Sequence, residues 1–378
     1  MRDGGERITA LDGLRAVAAL VVVFTHATGA IRKHPLVAAS LYESPLVVFL
    51  NATGAVHIFF VLSGLCLAAS ASRCGDARDV AQFYVRRFAR VQAPFVAVAL
   101  LAWCGSLYYA IPESETGRSG LSVWVMNRLQ VDISLAALLP TLRFPGDAHG
   151  LMPQGWTLRV EMIYSLLLPF LVMAARRFGW GLLIAVAVPL LFEQRPMRPE
   201  PYLLDFGAGI ALYLERERLE RLFAELPRFA SAALGLGGLV IVCLPAYFFF
   251  ESSHPPLANA CFATGATLLV ACAAHAPGLR RWLSARPCAA LGRISYSIYM
   301  LHFSVILLSA PLLASPVGPA FAVAYVAFVA IATCALAAST YRWVEVPCIR
   351  AGNLVSGLLA RLTGGQRRDS TALPPPAA

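Results

Sequence analysis

The chain has 378 residues, 58% of them hydrophobic and 14% charged, with a formal net charge of +10 and a mean hydropathy of +0.66. That is too apolar for a water-soluble domain folded around one core, so the sequence reads as a polytopic membrane protein. The basic surplus is spread over many short loops, which argues against nucleic acid as a partner and for membrane topology, and the nine cysteines are scattered without a CxxC pair, so neither a metal site nor a disulfide framework is expected.

The first apolar stretch, Ile8 to Ile31, holds two ionisable residues, Arg15 and His26. Eleven steps of about 100° bring His26 to within roughly 20° of Arg15 on one helical face, about 16 Å further along the axis. A charge inside a spanning helix usually faces a bundle interior or a substrate pathway. The bland alternative has Arg15 snorkelling to the inner interface and His26 lying near the outer one. The stretch lacks a clean small-residue cleavage site and reads as a retained helix, not a signal peptide.

Further spans are expected at about 46–71, 91–111, 154–175, 179–193, 202–214, 229–250, 258–275, 295–314 and 319–341. Together they predict an all-α polytopic transmembrane bundle of about ten spans forming one domain over residues 1–350, followed by a cytoplasmic tail, 351–378, that is partly disordered. With the N-terminus inside, 22 of the 31 basic residues fall in cytoplasmic loops and seven outside. That asymmetry predicts both termini in the cytoplasm and a multi-pass protein of the plasma (inner) membrane. The segments 179–193 and 202–214 are short or proline-flanked. Between the third and fourth spans, Leu121 to Leu142 carries Trp124, Arg128 and Asp132 and reads as an interfacial or re-entrant helix. The alternating charges of 215–228 read as a solvated connector without chemistry.

Several motifs carry candidate chemistry. In AVHIFFVLSGLCLA, His57 sits mid-span and Ser63-Gly64 permits a close helix approach. Arg86, Arg87 and Arg90 in RRFAR form a basic patch that suits phosphate recognition, although positive-inside charge alone explains two or three arginines. In QGWTLRVEMIYS, Trp156 falls at the outer interface, as belt tryptophans do, and Glu161 is buried below it. Further on, Ser295, Tyr299 and His302 recur at helical spacing. Heights counted from the loop arginines predict two layers, Arg15 with His302 nearer the cytoplasm and His26 with His57 and Glu161 nearer the outside. A carboxylate receiving the imidazole N–H of His26 would fix its tautomer and raise its basicity, as a general base requires.

Taken in order, LDGLRAVAALVVVFTHA, FFVLSG, RRFAR, GWTLRVE, LGRISYSIYMLH and YRWVEVP resemble the acyltransferase-3 family of integral membrane O-acyltransferases, over about residues 8–350. The resemblance implies ten spans, a cytoplasmic acyl-coenzyme A donor and acylation of a hydroxyl, often on a carbohydrate. Arg15 and His26 match the family's Arg-x10-His signature, Arg87 and Arg90 its RxxR element, Trp156 and Glu161 its Trp-x4-Glu element, Tyr296, Tyr299 and His302 its late pattern, and Glu345 the glutamate closing the last span. His57 departs from it, an acidic residue being common there. Some relatives append an extracytoplasmic esterase-like domain, which this sequence is not expected to carry. The resulting expectation gives catalysis to His26 and Glu161, binding of acyl-CoA, in the first instance acetyl-CoA, to Arg15, Arg86, Arg87 and Arg90, and substrate contact to His57, Trp156, Tyr299 and His302, with no metal. The partners expected are membrane lipid and a carbohydrate acceptor. A transporter or flippase of a lipid-linked saccharide, a non-catalytic scaffold, and a small-molecule acceptor such as an antibiotic stay open, as do acyl length and oligomeric state.

Overall fold

The computed structural model describes residues 2–3, 6–31, 37–109, 134–145, 151–192, 198–248, 256–313 and 318–362, together with Val125, Asn127, Leu129 and Asp132. Helix α1 is Thr9–Ala30, α2 Ala52–Ala71, α3 Ala77–Tyr109, α4 Leu135–Arg143 and α5 Gly155–Phe178. Two short helices follow, α6 Trp180–Leu190 and α7 Leu203–Leu214, then α8 Arg216–Glu225, α9 Arg228–Phe248 and α10 Pro256–His275. Helices α11 Pro277–Leu283 and α12 Arg286–Arg293 lead into α13 Ser295–Ser309 and α14 Pro319–Thr340. A π-helix, Tyr341–Glu345, joins α14 to α15, Val346–Leu362. Among the described residues the further ordered elements include a two-residue antiparallel pairing of Arg2–Asp3 with Glu6–Arg7 and short 3-10 and π turns.

The protein is thus an all-α bundle, with eight helical stretches among the described residues long and apolar enough to cross a membrane. The two weakest expected spans are α6 and α7, of 11 and 12 residues. At 1.5 Å per residue neither covers the roughly 30 Å of hydrocarbon alone. Apolar side chains of α5 and α9 such as Leu167, Phe170, Met173, Leu236 and Val240 are exposed along the outside of the bundle, the distribution expected of a lipid-facing belt.

Helix α1 lies at the centre, against α2, α10, α12, α13 and α14. The bundle is closed by backbone-to-backbone contacts at small residues. Helices α2 and α7 cross where a Cβ on Gly64 would meet the carbonyl oxygen of Phe206 at 2.5 Å, and one on Gly209 would overlap the carbonyl of Val61. Glycine is required there because two backbones share the space of one side chain.

Two helices extend beyond the apolar runs read from the sequence. Helix α3 starts at Ala77 instead of residue 91, because Asp76 Oδ1 caps the N–H groups of Arg78 and Asp79 at 2.8 and 2.9 Å, so the arginine cluster is helical. Towards the other end α15 runs through position 350 and packs along α3, with Gly352 against Ala89 and Arg86 Nη1 donating to Ser356 Oγ at 2.7 Å. The tail beyond Leu362, and much of 121–133, lie outside the described residues.

Candidate active site

Two histidines meet at the heart of the bundle. Nδ1 of His26, on α1, lies 3.0 Å from Nε2 of His302, on α13, and Phe303 packs against both rings at 4.7 Å between centroids. His302 is fully buried, and its Nδ1 lies 2.6 Å from the carbonyl oxygen of Tyr299. A carbonyl can only accept, so Nδ1 of His302 carries the hydrogen, and in the neutral ring Nε2 carries the lone pair. It follows that His26 donates its Nδ1–H to His302, which leaves Nε2 of His26 as the basic nitrogen. The hydroxyl of Tyr299 is fixed in the same way. Thr157 Oγ1 donates to the carbonyl of Gln154 at 2.8 Å, so Tyr299 donates to Thr157 Oγ1, also at 2.8 Å.

This geometry corrects the two expected layers. His302 lies at the level of His26 and not of Arg15, because Gly292 abuts the backbone of Asp12, which starts α13 a turn up α1. Glu161 bonds to neither histidine. It forms an ion pair with Nη2 of Arg87 and accepts from Ser63 Oγ at 3.2 Å, while Arg87 Nε donates to Ser165 Oγ at 2.8 Å. The longer α3 carries Arg87 alongside α5, and a carboxylate taken out of water is stabilised far more by a guanidinium than by a neutral ring. His57 also pairs elsewhere, with its Nδ1 2.8 Å from Oδ1 of Asp205 on α7, and both side chains are buried.

Below the histidines, Arg15 donates to Asp12 Oδ1 and to Cys66 Sγ, each at 3.2 Å, and lies within electrostatic reach of Glu161. The arginine cluster is not one patch. Arg87 is turned inward to Glu161, with 10% of its side chain exposed. Arg86 points to Ser356 on α15, and Arg90 lies near the buried Glu345 of the π-helix, which accepts from Ser297 Oγ at 3.0 Å. Arg86 and Arg90 keep exposed surface. Successive turns of α13 link these groups: Tyr296 lies among Glu161, Glu345, Arg87 and Arg90, Tyr299 lies within reach of Glu161, and His302 holds His26. The result is a polar column from the exposed arginines to His26.

Trp156, on the first turn of α5, faces Tyr202 with 5.7 Å between ring centroids, and Tyr202 in turn lies 5.4 Å from the ring of His57. Asp205 was missed by motif reasoning, although an acid in the otherwise apolar LLDFGAGIAL is itself a signal. Ser63 and Cys66, one and two turns beyond Phe59 on α2, offered no pattern in the sequence beyond small-residue packing.

No solved structure matches the chain. It is 29% identical to Acyltransferase MdmB of Streptomyces mycarofaciens, over 98% of this chain and 96% of that protein. It is 23% identical to Peptidoglycan O-acetyltransferase OatA of Listeria monocytogenes, over 81% of this chain and 50% of that protein, and so spans about half of that relative's length. A family model described as an acyltransferase domain matches residues 8–342, nearly the whole sequence, and on that match the chain belongs to the acyltransferase-3 family of integral membrane O-acyltransferases.

Proposed function

We propose that the protein transfers an acyl group, in the first instance acetyl, from cytoplasmic acyl-CoA to a hydroxyl of a carbohydrate of the cell envelope. The observation that carries this reading is the chain from the Tyr299 carbonyl through His302 to His26, which leaves Nε2 of His26 basic and orients the ring. The peptidoglycan acceptor named for OatA supports a carbohydrate over a small-molecule acceptor, and family membership supports acyl transfer over a flippase.

The exposed Arg86 and Arg90 take the phosphates of the donor, whose arm runs along the column past Arg87 and Arg15. At the thioester, Nε2 of His26 removes the proton of the acceptor hydroxyl as its oxygen attacks the carbonyl carbon. The C–O bond forms, the C–S bond breaks, and the departing thiolate takes the proton back from the imidazolium, so no net proton is consumed. His302 stabilises the imidazolium by accepting from its Nδ1–H. Glu161, bonded to Arg87, acts as a positioning residue of the donor path instead of orienting His26. Trp156, Tyr299 and His57 belong to the acceptor side.

The test is transfer of label from [14C]acetyl-CoA in membranes carrying the wild-type chain or His26→Ala, followed by fractionation into glycans, lipids and small molecules. The proposal predicts label in the glycan fraction with wild type only. Equal labelling by a well-expressed His26→Ala protein would overturn the role of His26, and label in the small-molecule fraction alone would overturn the carbohydrate acceptor.

A further inference from the structure

Helix α15 cannot share the bilayer with the span that leads into it. Helix α14, the π-helix and α15 form one helical run of 44 residues, Pro319–Leu362, about 66 Å at helical rise, roughly twice the hydrocarbon thickness. The 22 residues of α14 use about 33 Å of that length, so α15 continues past the hydrocarbon. It keeps α3 as its companion there. Gly352 and Ser356 face Ala89 and Arg86, and Leu359 meets Ala77, Arg78 and Gln82 at the start of α3. Both helices carry an irregularity at this exit. The π-helix packs against α3 with its Glu345 near Arg90, and α3 has Pro94 one turn further on. Proline and π-turns are where helices change direction.

The side of α15 turned away from α3 is apolar. Leu354 and Leu362 are 70% and 86% exposed, and Val355 and Leu358 are exposed as well. At about 100° per residue these four fall within one arc of about 100°, whereas Gly352, Ser356 and Leu359 fall together on the α3 side. Arg350 and Arg361 lie about 40° and 20° beyond Leu354, along one edge of the arc, and both are exposed. No acidic residue occurs in α15. Helix α8 provides the contrast, since its Arg216, Arg218 and Arg221 are interspersed with Glu217, Glu220 and Glu225. Before α15, Trp343 of the π-helix is largely exposed, with the guanidinium of Arg342 5.5 Å from its ring centroid, as in an interfacial aromatic belt.

We infer that α15 is an interfacial helix that binds anionic phospholipid. It lies along the leaflet on the arginine-rich side of the bundle, with Leu354, Val355, Leu358 and Leu362 among the acyl chains and Arg350 and Arg361 on the headgroup phosphates. Arginines at the edge of an apolar arc reach the phosphates while their stems stay in the apolar layer. A second copy of the chain would also cover the leucines, but two α15 helices meeting by this arc would bring arginines together with no acid of α15 to pair them. The inference holds whichever group the site transfers.

The test titrates dioleoylphosphatidylglycerol or dioleoylphosphatidylcholine into the full chain in neutral detergent at low salt and follows thermal unfolding. Phosphatidylglycerol should stabilise in a saturable way at concentrations where phosphatidylcholine does little, and about 0.5 M NaCl should shrink the difference. Arg350→Gln combined with Arg361→Gln should weaken the apparent affinity for phosphatidylglycerol about fivefold per arginine removed. Leu354→Ser combined with Leu358→Ser should weaken both lipids, and Arg218→Gln combined with Arg221→Gln on α8 should change neither. All six side chains are exposed, so each variant should melt as the wild type does before lipid is added. Where the arginine pair does not, the two single substitutions replace it. Equal stabilisation by the two lipids, an unchanged response in the folded Arg350 and Arg361 variants, or an equal loss in the α8 variant would overturn the proposal. So would a dimeric mass of the solubilised protein that the two serine substitutions convert to a monomer, because the arc would then be covered by a second copy.

Discussion

Removing the imidazole of His302 takes away the acceptor that sets the tautomer of His26. In His302→Ala the Nδ1–H of His26 loses its acceptor, now 3.0 Å away, while the ring, half-buried on α1, keeps its contact with Phe303 at 4.7 Å. One net hydrogen bond is worth about 0.5–1.5 kcal/mol, and loss of orientation adds to it. The whole general-base contribution, about 10²–10⁴ in rate, sets the ceiling. A fall in kcat of about 10- to 100-fold, roughly 1.4–2.7 kcal/mol, is expected, with the KM for acetyl-CoA nearly unchanged because the donor arginines are untouched. His302→Gln should recover most of the loss, since glutamine has the same number of bonds from Cβ to Oε1 as histidine has to Nε2 and can accept from His26. The assay is the initial rate of [14C]acetyl transfer at saturating acceptor. Wild-type kcat in a folded His302→Ala protein, or no difference between the alanine and glutamine variants, would refute the reasoning.

Other consequences follow from the same contacts. Arg86→Ala combined with Arg90→Ala should raise the KM for acetyl-CoA at least about tenfold with a smaller effect on kcat, whereas unchanged KM would remove these residues from the donor site. Glu161→Gln leaves Arg87 without its counter-charge and should lower thermal stability. A double-mutant cycle with Arg87→Gln should return a coupling of about 0.5–3 kcal/mol, and additive effects would show that the ion pair contributes nothing. Gly209→Ala forces α2 and α7 apart, because the new Cβ overlaps the Val61 carbonyl, and should cost about 1–3 kcal/mol. Gly237→Ala, where no atom lies within 4 Å of the added carbon, should leave the melting temperature in detergent unchanged, and equal effects of the two glycine substitutions would contradict the packing account.

Most of the helices were legible in the sequence because a bilayer imposes one constraint, a long apolar run: eight of the expected spans fall on helices long enough to cross it, while 179–193 and 202–214 fall on helices of 11 and 12 residues. What a single run does not carry is its partner across the bundle. Arg15 and His26 could be placed on one face of α1 from spacing alone, but the neighbours of that face depend on how far each helix extends past its loop arginines. The capping of α3 by Asp76 moved Arg87 onto Glu161, and the contact of Gly292 with Asp12 raised His302 to His26. Counting residues from the nearest arginine misses both effects. The pairing of His57 with Asp205 was hidden for another reason: α7 is too short to read as a firm span, so its acid did not register as an intramembrane charge.

The central claim is that Nε2 of His26 takes the proton of an acceptor hydroxyl during transfer from acyl-CoA. Its most direct measurement is single-turnover release of coenzyme A thiol from acetyl-CoA by the purified chain in nanodiscs, with and without the acceptor fraction labelled in membranes, for the wild type and for His26→Ala. The account predicts acceptor-dependent release in the wild type, one thiol per acetyl transferred, and a rate lower by about 10²–10⁴ in His26→Ala with coenzyme A binding retained. Acceptor-dependent release at the wild-type rate from the His26→Ala protein would contradict it.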